Sequence, residues 1–360
     1  MADALVERTE PAMTAAESAA VVTLAGDGDR AAWETYVSRQ ASATGYHDWA
    51  WREVIGRTFR HASFYLIARR AGRADISGVL PLVEIRSRLF GRTMTSLPFV
   101  NYGGVLADME EDAQALLAHA GDLARSRGCR HVELRHFDRR FDALPFKQHK
   151  VTMRLPLAEG IWDRLDRKVR NQIRKAVKSD LTVERGGVEL LADFYAVFAR
   201  NMRDLGTPVY TRRLFEEVLR AFPDRTRLVI VRLKGAPIAG GLTFRTGAMV
   251  EVPWASSIND YNALCPNHLL YWSVIEAAVA EGCRTLDFGR STPNEGTYKF
   301  KAQWGATPVA LHWEYCLLRG GAIPDQSPKN PRLRVFVDTW KRLPLWAANL
   351  IGPHVVRYIP

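Results

Sequence analysis

Several polar residues stand where the apolar pattern of this chain would deliver them to a ligand. Arg290 and Ser291 follow Leu286-Asp287-Phe288, which reads as a buried strand, so they emerge at the rim of a sheet, where α/β proteins commonly hold ligands. Either they bind a ligand such as a phosphate, or they stabilise a turn. Asn101 and Tyr102 precede Gly103-Gly104, a pair that lets backbone approach a ligand closely or turn tightly after a strand. Asp108 follows the same loop, and a carboxylate there is a general base or an exposed loop charge. Asn267 and His268 open an apolar helix whose first N–H groups can meet an anion, with capping and core packing as alternatives. Arg203, after another helix, is a further phosphate-binding candidate.

A second kind of chemistry is suggested by 163–178, which reads as an amphipathic helix. Leu165, Val169, Ile173, Ala176 and Val177 share one side at helical spacing. Arg167, Arg170, Arg174 and Lys178 lie opposite, flanked by Arg164, Lys168 and Lys175. Seven basic residues on one short helix make either a phosphate-binding face or a solvated one. No helix-turn-helix partner and no zinc ligands accompany it, so sequence-specific DNA reading is not expected. Phosphate contact without base readout suits tRNA, a nucleotide-sugar or a membrane surface.

Other chemistries find little support. There is no GxSxG elbow, HExxH or P-loop, and His131 and His136 lack metal-like partners. The four cysteines contain no CxxC pair and read as free thiols. A formal net charge of +11 and a pI near 9.7 favour anionic partners without choosing among them. The N-terminus lacks the pattern of a signal peptide, and no apolar run is long enough to span a bilayer, so a cytoplasmic protein is expected.

The elements that must position these groups read as one unit used twice. In the second half a strand at 181–185 precedes helices at 188–202 and 211–222, then strands at 227–233, 238–245 and 248–256. A helix at 266–281, a strand at 284–288, a short helix at 297–304 and a strand at 309–318 complete it. This succession is similar to the GNAT acetyltransferase fold. The first half repeats part of it, with strands at 64–70, 76–85 and 93–100, a helix at 111–127 and a strand at 129–137. Gly128-Cys129-Arg130 and Gly282-Cys283-Arg284 occupy the same helix-to-strand junction, as duplication would produce.

Five stretches in order resemble the FemAB family, particularly members lacking a long coiled-coil arm. They are Leu80-Pro81-Leu82; Leu97 through Gly104; Arg170 through Ala176; Asp287-Phe288-Gly289-Arg290-Ser291; and Tyr298 through Gly305. The likeness covers about 30–320 and is nearest FemAB-like proteins of exopolysaccharide and protein-sorting systems. It implies an α/β (α+β) fold of two tandem GNAT-like domains with mixed sheets and a cleft between them. It also implies transfer of an acyl group, aminoacyl from charged tRNA in the best-known members, onto an amine of an envelope precursor. The family's Phe-Lys pair maps to Phe300 and Lys301, whose ammonium would stabilise a tetrahedral oxyanion.

No tightly bound cofactor is expected. The donor is aminoacyl-tRNA or acyl-CoA, although the Arg/Gln-x-x-Gly-x-Gly/Ala loop of ordinary GNAT enzymes is absent before both long helices. An acetyl-CoA-dependent N-acetyltransferase and a non-catalytic precursor-binding scaffold are the alternative functions.

The expected partition is a disordered tail at 1–26, domain one at 27–158, a basic linking helix at 159–180 and catalytic domain two at 181–320. The remaining segment, 321–360, would pack on domain one or touch the inner face of a membrane. Its Phe336, Trp340, Trp346 and Tyr358 alternate with Arg334, Lys341, Arg342 and Arg357, and Pro344 and Gly352-Pro353 should prevent one long helix.

Overall fold

Alternating apolar runs in this chain form strands, and the longer 3.6-periodic runs form helices laid on both faces of the sheet. A computed structural model describes residues 20–87, 91–323 and 331–359. The first half comprises β1 (Ala20–Leu24), α1 (Arg30–Arg39), α2 (Ala50–Phe59), β2 (Ala62–Arg70), β3 (Ile76–Ser87), β4 (Gly91–Thr95), β5 (Leu106–Ala107), α3 (Glu110–Ser126), β6 (His131–His136) and β7 (Phe146–Pro156). After α4 (Ile161–Arg164) and α5 (Arg167–Lys178) come β8 (Leu181–Gly186), α6 (Leu191–Leu205), α7 (Arg212–Ala221), β9 (Thr226–Leu233), β10 (Ala236–Thr246) and β11 (Met249–Ser257). The chain continues through α8 (Pro266–Ala280), β12 (Thr285–Ser291), α9 (Gly296–Ala302), β13 (Thr307–Leu317), α10 (Pro331–Lys341) and α11 (Leu345–Val356).

One mixed sheet runs β1-β2-β3-β4-β6-β13-β7-β12-β11-β10-β9-β8, with β5 pairing off β3. Each half contains one parallel pair, β4 with β6 and β11 with β12. The closing strands are exchanged: β7, from the first half, lies against β12, and β13, from the second, lies against β6. The two then pair with each other at the centre. The duplicated junction is reproduced bond for bond. Cys129 and Cys283 N–H each donate to the residue five back, Ala124 and Ala278 O, at 2.8 Å, and Gly128 and Gly282 sit at φ +71° and +73°. This is the glycine-terminated helix end that a left-handed C′ position requires.

Two cores bear on function. One face of the second half's sheet packs Leu286, Phe288, Met153 and Val250 against α5 and α8. The other face shares a core with the first half, where α2 supplies Trp51 and Ile55, α6 and α7 supply Phe194 and Phe215, and β10 supplies Phe244.

Several expectations are corrected. Residues 1–19 of the proposed tail lie outside the described residues, but Ala20–Leu24 is an edge strand on β2 rather than tail. The helix expected at 163–178 breaks at Leu165–Asp166, because Asp166 caps α5 by accepting from Lys168 N–H at 2.6 Å. Pro344 does separate two helices, whereas Gly352-Pro353 lies inside α11. The C-terminal segment packs chiefly on α6 of the second half and meets the first at its end, where the Arg357 carbonyl meets His61 Nε2 at 2.7 Å.

Candidate active site

Strand alternation on β12 sends Leu286 and Phe288 into the α8 core and Asp287 to the opposite face. The register then slips: Asp287 stands opposite Arg154, but Arg290 stands opposite Thr152, three residues against two. Gly289 carries this bulge at φ +75°, and a Cβ there would lie 2.8 Å from the Val252 carbonyl oxygen. The bulge therefore turns Arg290 to the face that Asp287 occupies. It also frees carbonyls for Lys301, whose Nζ donates to Gly289 O at 2.9 Å and Arg290 O at 3.0 Å. Only 7% of Lys301 is exposed. Burial lowers its pKa to about 8; Asp287 and Glu251 oppose that shift, while Arg290 adds to it. An ammonium has three donors, and two are taken by the bulge carbonyls, leaving one.

Glu251 and Asp287 form the last rung of the parallel β11–β12 ladder, beyond which those strands stop pairing. Glu251 accepts from Asn101 Nδ2 at 2.7 Å and Tyr102 hydroxyl at 3.0 Å. Asp287 accepts from Gly289 N–H at 2.8 Å, Arg154 Nε at 3.3 Å and the Thr152 hydroxyl. Burial raises both carboxyl pKa values, and the neighbouring Asp287 pushes Glu251 up further. Two carboxyls in one dry site favour sharing a proton. A cavity of about 740 Å³ between the halves, lined by Tyr102, Gly104, Arg154, Met249, Arg284 and Thr285, reaches two partners of the rung but not Glu251, Asp287 or Lys301 themselves. Its size suits a small-molecule or precursor ligand.

The equivalent rung in the first half is Thr95 with Glu133, and there the gap beyond it is filled. The loop after β4 bonds to β6 through Ser96 N–H to Glu133 O at 2.8 Å, and Arg135 donates to Val100 O at 2.8 Å. Leu97 and Phe99, both buried, hold positive φ within it. The first half's rung carries one carboxylate, held by Arg135 at 2.7 Å, whereas the second half's carries two carboxyls.

The predicted site residues divide. Lys301, Phe300, Arg290, Ser291, Asn101 and Tyr102 gather around the bulge and the rung. Phe300 packs between His268 and Tyr271, and Ser291 Oγ is buried without a hydrogen-bond partner among the described residues. Arg290 is exposed yet hemmed in, so desolvation and then Arg135 lower its pKa, as in an open concave floor. Asn101 and Tyr102 are committed to Glu251.

Other predicted residues have different partners. Asp108 is held by the Tyr36 hydroxyl at 3.0 Å and Gln40 Nε2 at 2.7 Å, beside α1, and is not a free base at Lys301. Arg203 pairs with Asp204 at 2.7 Å and donates to Leu343 O at 3.2 Å, fastening the C-terminal segment. Asn267 donates to Ser257 Oγ at 2.8 Å, tying α8 to the end of β11. On α5, Arg167, Arg174 and Lys178 are exposed; Arg174 lies over Trp162 at 5.4 Å, and Arg170 reaches Asp163 at 4.0 Å. Glu251 went unnoticed in the sequence, although its place between Val250 and Val252 marks it as facing away from their core.

Comparison with known proteins bears on the fold. The acetyltransferase (GNAT) domain model matches residues 164–302. Lipid II:glycine glycyltransferase of Staphylococcus haemolyticus (strain JCSC1435) is 29% identical over 89 residues, 23% of this chain and 21% of the relative. The chain thus matches only about a fifth of that relative's length. Among solved structures, FemX superposes at a TM-score of 0.65 with 16% identity, covering 83% of this chain and 98% of FemX. A tandem GNAT protein from the clavulanic acid biosynthesis pathway gives 0.55 with 12% identity, covering 84% and 100%. L-PGS from Bacillus licheniformis gives 0.52 with 10% identity, covering 87% and 96%. With a GNAT-like unit in each half, the chain has the tandem GNAT-like fold that these structures share.

Proposed function

We propose that this chain is an acyltransferase that forms an amide on an amine of a cell-envelope precursor, using an aminoacyl group delivered by tRNA. The observation that carries this reading is Lys301, a buried ammonium fixed by the two carbonyls of the β12 bulge with one donor left. In the proposed reaction the amine nitrogen attacks the ester carbonyl, and the negative charge gathers on oxygen beside that donor. Collapse expels the alcohol oxygen of the donor, which takes up the proton released by the amine. No covalent enzyme intermediate is required.

The likeness to a protein named for glycyl transfer onto lipid II supports both the amide chemistry and a lipid-linked acceptor. The exposed cations of α5 suit the phosphates of tRNA. The interdomain cavity suits the acceptor. The protein would work in the cytoplasm, with α10 and α11 touching the inner face of the membrane. An acetyl-CoA donor is the second reading, favoured by the GNAT match itself.

Side-by-side titration with charged tRNA and acetyl-CoA separates the two. The proposal expects salt-sensitive binding of charged tRNA and amide formation that Lys301→Ala reduces by 10²-fold or more. Unchanged turnover in Lys301→Ala removes the proposed mechanism, saturable binding of acetyl-CoA alone favours the second reading, and no transfer by the intact chain favours a scaffold.

A further inference from the structure

Lys150 and Arg290 are cations without a carboxylate partner. Neither makes an ion pair among the described residues, whereas Arg135 has Glu133 at 2.7 Å and Arg154 has Asp287 at 3.3 Å. They are also neighbours. The bulge sets Arg290 opposite Thr152, two residues along β7 from Lys150. Burial and then Arg290 lower the Lys150 pKa, and the more distant Glu295 at Lys150 and Glu133 at Arg290 only partly offset the shifts of the two cations. Like charges held together without a counter-ion raise the free energy of the fold. An arriving anion removes that cost.

The two side chains are also held in place. Lys150 Nζ donates to Thr292 Oγ1 at 2.7 Å. Arg290 lies over the Trp313 ring at 5.5 Å from its centroid, Arg135 lies over it at 4.2 Å, and His149 meets its edge at 4.9 Å. Trp313 is only 8% exposed, and its indole N–H has no acceptor among the described residues. A buried donor without an acceptor is uncommon in a finished protein surface.

We infer that Lys150 and Arg290, the latter lying over Trp313, form a subsite for a phosphate or diphosphate group beside the bulge that holds Lys301. Assigning that group to the acceptor rests on the transferase reading; the anion site itself does not. The sheet supports the assignment. Lys150 and Arg290 share the interdomain face with Asp287, whereas α5 packs on the opposite face with α8. A donor whose phosphates meet α5 and an acceptor whose phosphates meet Lys150 would then approach Lys301 from opposite sides of β12.

The test is calorimetric titration of the full chain, at fixed ionic strength, with inorganic pyrophosphate, UDP and farnesyl diphosphate. Lys150→Met and Arg290→Met should each weaken binding of all three at least tenfold, and Lys150→Arg should restore most of it. Arg39→Gln, an exposed cation on α1, controls for non-specific attraction and should change nothing. The tighter of UDP and farnesyl diphosphate identifies whether a nucleotide or a lipid carries the phosphates. Affinity that survives Lys150→Met, or falls equally in Arg39→Gln, overturns the subsite. Its failure is separable from that of the transferase reading: loss of binding in the variants with no transfer by the intact chain leaves the anion site standing and removes the chemistry.

Discussion

At the scale of single residues, the pH dependence of turnover tests which group acts. The Lys301 ammonium is useful only while protonated, and burial brings its pKa from 10.5 down to about 8. Turnover should therefore be full below that value and fall as pH rises through it. Lys301→Arg should remove this alkaline limb, because guanidinium stays protonated throughout the accessible range. Asp287→Asn should move the limb lower, since Asp287 is the strongest influence holding the pKa up. A limb that stays at the same pH in Lys301→Arg belongs to another group. Lys301 was reachable in the sequence only through family likeness, since a lysine on a short helix is otherwise ordinary. Glu251 was not reached. A Val-Glu-Val alternation reads as a strand with one wet face, and only the first half's Asn101 and Tyr102, about 150 residues away, make that face dry.

At the scale of elements, the site depends on a one-residue irregularity that composition does not announce. The Asp287-Phe288-Gly289-Arg290-Ser291 stretch was legible as a strand end, but its bulge was not, because register is set by the neighbouring β7. That neighbour was itself missed. Lys147, Gln148, His149 and Lys150 give it a polar start, and pairing on both sides with β12 and β13 overrides the weak local preference. Gly289 is the element's fixed point. Gly289→Ala must place a Cβ at φ +75° and 2.8 Å from a backbone oxygen. The expected cost is about 2 kcal/mol of stability, read from the urea midpoint. Turnover should fall further than stability alone explains, because the carbonyls holding Lys301 belong to the strained residue and to the one after it. Gly296→Ala, where an added Cβ meets nothing within 4 Å, is the matched control. Equal effects of the two substitutions would mean that the bulge geometry is not needed.

At the scale of the whole molecule, the duplicated order was readable, yet the exchange of closing strands was not, since nothing local distinguishes a strand that completes its own sheet from one that completes its twin's. Among the described residues, the C-terminal helices carry several of the most exposed large apolar side chains. Trp346 is 72% exposed and Leu350 63% on α11, and Val335 is 69% exposed on α10, with Lys341 and Arg342 exposed between them. No helix among the described residues is long and apolar enough to cross a membrane. Apolar side chains beside cations instead match the interface of an anionic bilayer, where each basic residue adds about 1 kcal/mol and buried apolar area adds the rest.

The full chain should therefore sediment with phosphatidylglycerol-containing vesicles, more weakly as salt rises, and much less with neutral phosphatidylcholine. Trp346→Ser with Leu350→Ser should lower partitioning more than tenfold without altering thermal stability, because neither side chain supports the core. Lys341→Glu with Arg342→Glu should abolish the preference for anionic lipid. If the double serine variant still binds vesicles, or if it converts a dimer to a monomer in sedimentation, the exposed face serves another partner. The acceptor must then reach the cavity between the halves without a membrane to present it.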